Sequence, residues 1–413
     1  MFRKKFQILF SSVMLAAGMA AVQAATLTVT NLENGGDGSL RHAIGIAAPG
    51  DTIEFQPGLA GTIVLQSALP LLDQNIRIIG PGPATISVSG NAEQPEQPPI
   101  RVFEIESGAE VEISGLTITN GRGDFGGGGI SNRGRLTLSD CIVSNNAAEA
   151  FSAGGGIDNF GGTLLVDRCV ITGNFADTGG GIANDGGAVS ITDSTIFANH
   201  SEFLGGGIDS IGDLFIERSA VFNNSSEFGG GIGNGDVLML LNSTVSGNTA
   251  LETSGGIDNF GGSVDLVHST VASNQAAVGG GGLWTNGLVT AKNSLVVGSA
   301  DSGGNCAAID GGVVDSAGVN LDTDGSCGNF QTVTSLELAL EALADNGGPT
   351  ETHALQVNSV AVDAASDCTG IDGLTVVGQD QRGIARPQGS FCDIGAFELA
   401  DGDLIFADGF ESG

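Results

Sequence analysis

Residues 154–174 read GGGIDNFGGTLLVDRCVITGN and residues 179–199 read GGGIANDGGAVSITDSTIFAN. Both stretches run from glycines to an apolar residue, then through an alternating run to a closing Asn. The apolar residue after the glycines recurs at Ile130, Ile157, Ile182, Ile208, Ile232, Ile257 and Leu283, in steps of 27, 25, 26, 24, 25 and 26. Six or seven residues later each unit carries a short alternating run, as in Leu136-Thr-Leu138 or Val189-Ser-Ile191. Many units close on Asn, at Asn146, Asn174, Asn199, Asn224, Asn248 and Asn274.

This period excludes helical solenoids, whose units of about 33–47 residues carry a 3.6-residue pattern. Here the alternation has period two and β-branched residues dominate. About 25 residues at roughly 3.3 Å each make one closed coil of three short strands, and successive coils stack about 4.8 Å apart. The expected fold is all-β: a right-handed parallel β-helix, the hand following from the crossover rule for parallel strands. Like residues then stack in columns. Apolar columns form one core, and the Asn column can hydrogen-bond along the axis.

Two further columns follow from this register. Asp140, Arg168, Asp193 and Arg218, continued by Asn242 and His268, place opposite charges one coil apart as a ladder of ion pairs. Next to them Cys141 and Cys169 fall in adjacent coils, about 5 Å apart and within bridging range. End coils cannot satisfy their own edges, so caps are expected.

Residues 1–24 begin with Arg3, Lys4 and Lys5, continue through an apolar run and end on Val22-Gln23-Ala24. This is the pattern of a secretory signal cleaved after Ala24. The apolar run is too short to span a bilayer, which takes about 20 residues. The chain holds 14 Lys+Arg against 47 Asp+Glu, a net charge of −33. Removal of those three basic residues would make it −36, with Lys292 the last lysine left. Such a field repels nucleic acid and anionic lipid. The expected partner is an extracellular or cell-surface glycan or protein, with no transmembrane helix in the mature chain.

The expected organisation is a signal at 1–24, an N-terminal cap with first coils at 25–101, repeats at 102–300, a small C-terminal domain at 301–398 and a tail at 399–413. Ser39-Leu-Arg-His-Ala-Ile44 reads as a short capped helix, and residues 93–99 as a proline-rich loop. Residues 335–344 read as a second helix, with Ser335 as N-cap. Proximity favours the disulfides Cys306–Cys327 and Cys368–Cys392, each contributing roughly 3 kcal/mol, with Cys141–Cys169 as a third candidate. Disulfides agree with an oxidising compartment.

Several of these segments are familiar. Thr28-Val-Thr-Asn-Leu, Gly38-Ser-Leu-Arg-His-Ala-Ile and Pro49-Gly-Asp-Thr-Ile-Glu-Phe together resemble the opening of bacterial secreted right-handed β-helix proteins. The Gly-Gly-Gly-Ile…Asn units look like those of the polymorphic outer membrane protein group. The tail resembles the choice-of-anchor Q domain, through Asn346-Gly-Gly-Pro-Thr-Glu-Thr-His-Ala-Leu355, Ala361-Val-Asp-Ala364, Asp380-Gln-Arg-Gly383, Arg386-Pro387 and Cys392-Asp-Ile-Gly-Ala-Phe-Glu398. The resemblance implies export, a β-helix and surface display. It carries no catalytic residues to transfer.

Parallel β-helices also carry polysaccharide lyases and hydrolases. A lyase needs a base beside a neutralised uronate; a hydrolase needs two carboxylates about 5–9.5 Å apart. The candidates are Asp158, Asp209 and Asp258, one column in alternate coils with Ala183 and Gly233 between, hence about 10 Å apart. The motif GGIDNFGG occurs at both 155–162 and 255–262. A duplicated motif reads as architecture rather than as a unique site. Trp284 shares the column, and Phe160 and Phe260 lie two residues on, where they could stack on sugar rings. Asp322 and Asp324 open a weak calcium-loop candidate whose position 12 is Val333 rather than Glu. His42, His200, His268 and His353 lack metal spacing. Asp380, Arg382, Arg386 and Asp393 are expected to form an ion network locking the tail. The reading is an exported adhesion or structural protein without catalysis or cofactor; the alternative is a carbohydrate-active enzyme, a lyase or glycoside hydrolase.

Overall fold

Each Gly-Gly-apolar unit makes one circuit and lies on the unit before it. The computed structural model describes residues 24–91, 98–149, 151–299, 303–365 and 367–400. The signal segment, most of the proline-rich loop and nearly all of the tail after 399 lie outside the described residues. The fold is a right-handed parallel β-helix of about eleven turns.

A typical coil has four short strands, not three: Ile157–Phe160, Thr163–Asp167, Val170–Thr172 and Phe175–Thr178. They stack into wall 1 of nine strands, walls 2 and 3 of twelve each, and wall 4 of seven. The fourth strand arises because the residues after the closing Asn also pair with the next coil, His200 lying on Phe175. Ile157 sits on Ile182 and Ile182 on Ile208, all fully buried. A fully buried aliphatic side chain contributes roughly 1.5–3 kcal/mol, and these columns form one continuous core.

Polar ladders flank the apolar columns. The closing Asn side chains donate coil to coil, Asn146 to Asn174 at 3.0 Å, Asn174 to Asn199 at 2.9 Å and Asn199 to Asn224 at 3.0 Å. A second ladder runs inside wall 1, Asn132 to Asn159 at 2.6 Å and Asn159 to Asn184 at 2.8 Å. The charge ladder lies on the corner between walls 2 and 3, where Asp140, Arg168, Asp193 and Arg218 all have φ near +50°. Arg168 grips Asp140, and Arg218 grips Asp193, each through two 2.9 Å bonds. The half-exposed Arg168 pair contributes about 0–1 kcal/mol.

Cys141 and Cys169 are free, which corrects the third disulfide. They begin a column continued by Ser194, Ser219 and Ser243, in which each side chain accepts the backbone N–H of the coil before it. Cys169 Sγ takes the N–H of Cys141 at 3.4 Å, while the Cys141 thiol points to the Ile113 carbonyl. The Cys141 sulfur also lies 3.3 Å from the Ser139 carbonyl, and no bond joins the two sulfurs. Cys141→Ser and Cys169→Ser should therefore fold with stability within about 1 kcal/mol of the parent. A thiol reagent should titrate two cysteines per chain on unfolding, and none would mean a bridge.

The N-terminal end is covered by the helix Leu40–Ile46, with Ser39 Oγ accepting the His42 N–H and Leu40, Ala43 and Ile44 buried. At the other end the disulfides Cys306–Cys327 and Cys368–Cys392 are present. The expected helix over 335–344 is one turn, Ser335–Leu338, capped by Thr334 rather than Ser335. Ala339 then turns left-handed, and Leu340–Ala344 pairs antiparallel with Thr352–Leu355. Pairing overrides the helix propensity of this Leu/Ala/Glu segment.

The C-terminal segment runs along the side of the rod, over wall 3. Thr350 reaches the Arg218 carbonyl, Thr244 donates to Gln381, Ser246 meets His353 and Lys292 pairs with Asp367 at 2.9 Å. Ala272, Leu295 and Val297 of wall 3 share a second core with Leu338, Leu355, Ile394 and Phe397. Arg382 pairs with Asp380 and lies 3.6 Å from the Phe397 ring centroid. Arg386 pairs with Glu398 at 2.8 Å. The Asp393 carboxylate instead accepts the N–H groups of Asp363 and Leu399. Among the described residues no helix is long and apolar enough to cross a membrane.

Candidate functional site

Wall 1 brings the sequence candidates into one column. Asp158, Ala183, Asp209, Gly233, Asp258 and Trp284 stack in register, and Ser131 and Glu104 extend the column toward the N-terminus. Their side chains alternate with the interior Ile and Asn positions and so point away from the core. Even so, Asp158 is only 6% and Asp258 only 3% exposed. The glycine-rich stretch entering each strand arches over them. A Cβ on Gly126 would lie 2.7 Å from Asp158 Oδ2, and one on Gly229 3.0 Å from the Asp258 Cβ.

Burial sets the electrostatics. It pushes Asp158 and Asp258 up to about 6, with Arg101 and Arg133 partly opposing the shift at Asp158 and a Thr253 hydrogen bond opposing it at Asp258. Asp209 is pushed up to about 7 by burial, then by the negative charges of Asp258 and Asp185. Oδ1 of Asp209 and Oδ1 of Asp258 are buried without a hydrogen-bond partner. Sequence reasoning missed Asp185, which acts on both Asp158 and Asp209. Its signal is its place directly after Asn184, where the neighbouring unit has Phe160.

A carboxyl whose pKa is raised on folding stabilises the native state at low pH, and that contribution is lost as pH rises through the folded value. For Asp209 the window runs from about 4 to about 7. Asp209→Asn, which keeps the neutral shape, should raise stability at pH 8 by on the order of 1–3 kcal/mol and change little at about pH 4, below the window. Thermal unfolding of both proteins at the two pH values checks this.

The chemistry of the column is limited. Two coils separate its neighbouring aspartates, about 10 Å, and among the described residues no basic group acts on Asp209 or Asp258. Of the calcium-loop candidates, Asp322 Oδ2 accepts the Cys327 N–H while its Oδ1 is buried without a partner, and the Asp324 oxygens accept Ser326 and Asn305 N–H groups. Among the described residues no three His, Cys, Asp or Glu side chains gather to hold a metal ion. Phe160 is exposed and Phe260 half-buried, while Trp284 is partly covered, its Cδ1 3.0 Å from where a Cβ on Gly279 would stand. A separate shallow hollow of about 370 Å³ lies on wall 2, lined by Leu165, Phe215, Val237 and Met239, away from these carboxylates.

No family model matches the chain, and no curated protein matches it. Among solved structures it is similar to the crystal structure of pectate lyase Pel9A, with 15% identity and a TM-score of 0.51 over 91% of this chain and 96% of that one. A mannuronic acid specific polysaccharide family 6 lyase from human gut microbiota aligns more loosely, with 11% identity and a TM-score of 0.34 over 75% of this chain and 91% of that one. At these identities the likeness to Pel9A is one of fold: a parallel β-solenoid shared along nearly the whole chain.

Proposed function

We propose that the protein is an exported β-helix that adheres to an extracellular polymer or surface through the flank of its coils, without cleaving what it binds. The supporting observation is the state of the aspartate column. Asp158 and Asp258 are covered by the glycine-rich stretch of the coil before each, the column's aspartates stand two coils apart, and among the described residues no basic group acts on Asp209 or Asp258. Export rests on residues 1–24, and surface display on the tail's resemblance to the choice-of-anchor Q domain. The two disulfides accord with an oxidising compartment.

A carbohydrate-active enzyme is the second reading. It is favoured by the fold shared with a pectate lyase and by Asp209, whose value of about 7 suits a general acid. Purified protein incubated with acidic, neutral and basic glycans should bind at least one class and release no reducing ends or unsaturated uronates. Turnover that disappears in Asp209→Ala would establish the second reading and overturn the first.

A further inference from the structure

Each coil leaves wall 4 through a turn that leads back to wall 1, and these turns carry a repeat of their own. Asp124-Phe125, Glu149 with Phe151, Glu202-Phe203, Glu227-Phe228 and Leu251-Glu252 each set a carboxylate within two residues of a large apolar side chain, and Val278 ends the row. Backbone bonds hold the turns in stacking order. The Phe228 N–H donates to the Phe203 carbonyl at 2.7 Å, Glu252 to Glu227 at 2.9 Å and Val278 to Glu252 at 3.1 Å. Ser152 Oγ reaches the Asp124 carbonyl, so the first two turns are neighbours as well. The turn between Phe151 and Phe203, at Asp177 and Thr178, is the one without an apolar tip. From Asp124 to Val278 the row covers six coil steps, about 29 Å.

The apolar tips stand in water. Phe125 is 87%, Phe151 96% and Leu251 70% exposed. Side chains this far out add nothing to their own core, and a contiguous row of them marks a contact surface. The carboxylates are unused too. Glu149 pairs with Arg122 at 2.6 Å, but among the described residues Asp124, Glu202, Glu227 and Glu252 have no basic partner and accept no hydrogen bond. Such a row selects its partner by sign. A second copy of this chain would bring the same carboxylates against it, and an anionic lipid surface would be repelled. A neutral glycan would leave the four carboxylates uncompensated. What fits is a polypeptide surface with apolar side chains among lysines or arginines.

We infer that this rim is a docking edge for another protein, which presents a cationic amphipathic segment. Its apolar side chains pack on Phe125, Phe151 and Phe203, and its Lys or Arg side chains reach Glu202, Glu227 and Glu252. This goes beyond the adhesion reading above and does not depend on it, because it involves neither a glycan nor the aspartate column.

The test is calorimetric titration of the full chain with a Leu/Lys peptide of about 20 residues, its leucines gathered on one face of a helix about 30 Å long. Salt at about 0.15 M confines the attraction to charges within roughly 8 Å. The peptide should bind at least about tenfold more tightly than a scrambled peptide of the same composition or a Leu/Glu version, a difference of about 1.4 kcal/mol. Phe125→Ser/Phe151→Ser and Glu202→Gln/Glu227→Gln/Glu252→Gln should each weaken it about fivefold or more, roughly 1 kcal/mol. Glu54→Gln/Asp73→Asn/Asp310→Asn removes as many charges from exposed positions elsewhere and should leave binding unchanged. The replaced side chains are exposed or half-buried, so every variant should unfold near the parent's temperature. Equal affinity for the scrambled peptide would remove the role of the apolar row, equal affinity for the Leu/Glu peptide the role of charge, and equal loss in the two triple variants would reduce binding to net charge. Any of these overturns the inference, as would parental affinity in the rim variants or no binding of the patterned peptide.

Discussion

Asn199→Leu should destabilise the rod by about 3–5 kcal/mol, although Leu is apolar and of similar size, because it orphans several groups in the interior at about 1–3 kcal/mol each. Asn199 Oδ1 accepts both the backbone and the side-chain N–H of Asn174, at 3.0 and 2.9 Å. Its Nδ2 donates to the carbonyls of Ile171 and Phe197 and to Asn224 Oδ1. Leucine satisfies none of them. The ladder is continuous, so the loss is felt one coil away on both sides. Urea unfolding should show the full drop for Asn199→Leu, while Thr172→Ala on the outside of wall 3 should stay within about 0.5 kcal/mol. A near-neutral Asn199→Leu would mean that the Asn column is not a hydrogen-bonded spine.

Arg386→Met should cost a similar amount, about 3–5 kcal/mol, but in a different place. The Arg386 and Glu398 side chains are 0% and 1% exposed and meet at 2.8 Å. Arg386 also donates to the carbonyls of Asp393 and Gly395. Removing the guanidinium leaves the Glu398 carboxylate buried against backbone N–H groups alone. The damage falls on the segment that lies along wall 3, so limited proteolysis should cut within 335–399 while the coils resist. Arg386→Met/Glu398→Met should recover most of the lost stability, since it removes the unpaired charge along with its partner. A single variant as stable and as protease-resistant as the parent would show that the pair does not fasten this segment.

The fold could be read from the sequence because a solenoid repeats its instructions. Each Gly-Gly-apolar triplet places one interior Ile, and seven copies fix a register that a single strand would leave open. The Asn spine and the charge ladder followed from the same register. What stayed hidden has no period. The fourth strand, such as Phe175–Thr178, varies in length from coil to coil, down to the two residues of Thr249–Ala250. The course of residues 335–399 along wall 3 depends on contacts as remote as Thr244 with Gln381, 137 residues apart. The aspartate column was visible as a column, but its burial was not. Outward-pointing positions read as exposed, and only the arch of the Gly-rich stretches covers Asp158 and Asp258. The Cys141–Cys169 expectation failed for a related reason: spacing gives the separation of two backbones, whereas the two sulfurs are engaged by the Cys141 N–H and by the Ile113 and Ser139 carbonyls.

Distance along the axis tests the stacking of the coils most directly. Thr137 and Thr290 face outward on wall 2, 153 residues apart in sequence and joined through Leu165, Ser190, Phe215, Met239 and Asp265 in successive coils. With Cys141 and Cys169 replaced by Ser, spin labels at these two positions should give one narrow distance distribution centred near about 29 Å, six coil steps. A broad distribution, or a centre displaced by more than two coil spacings, would contradict one coil per repeat.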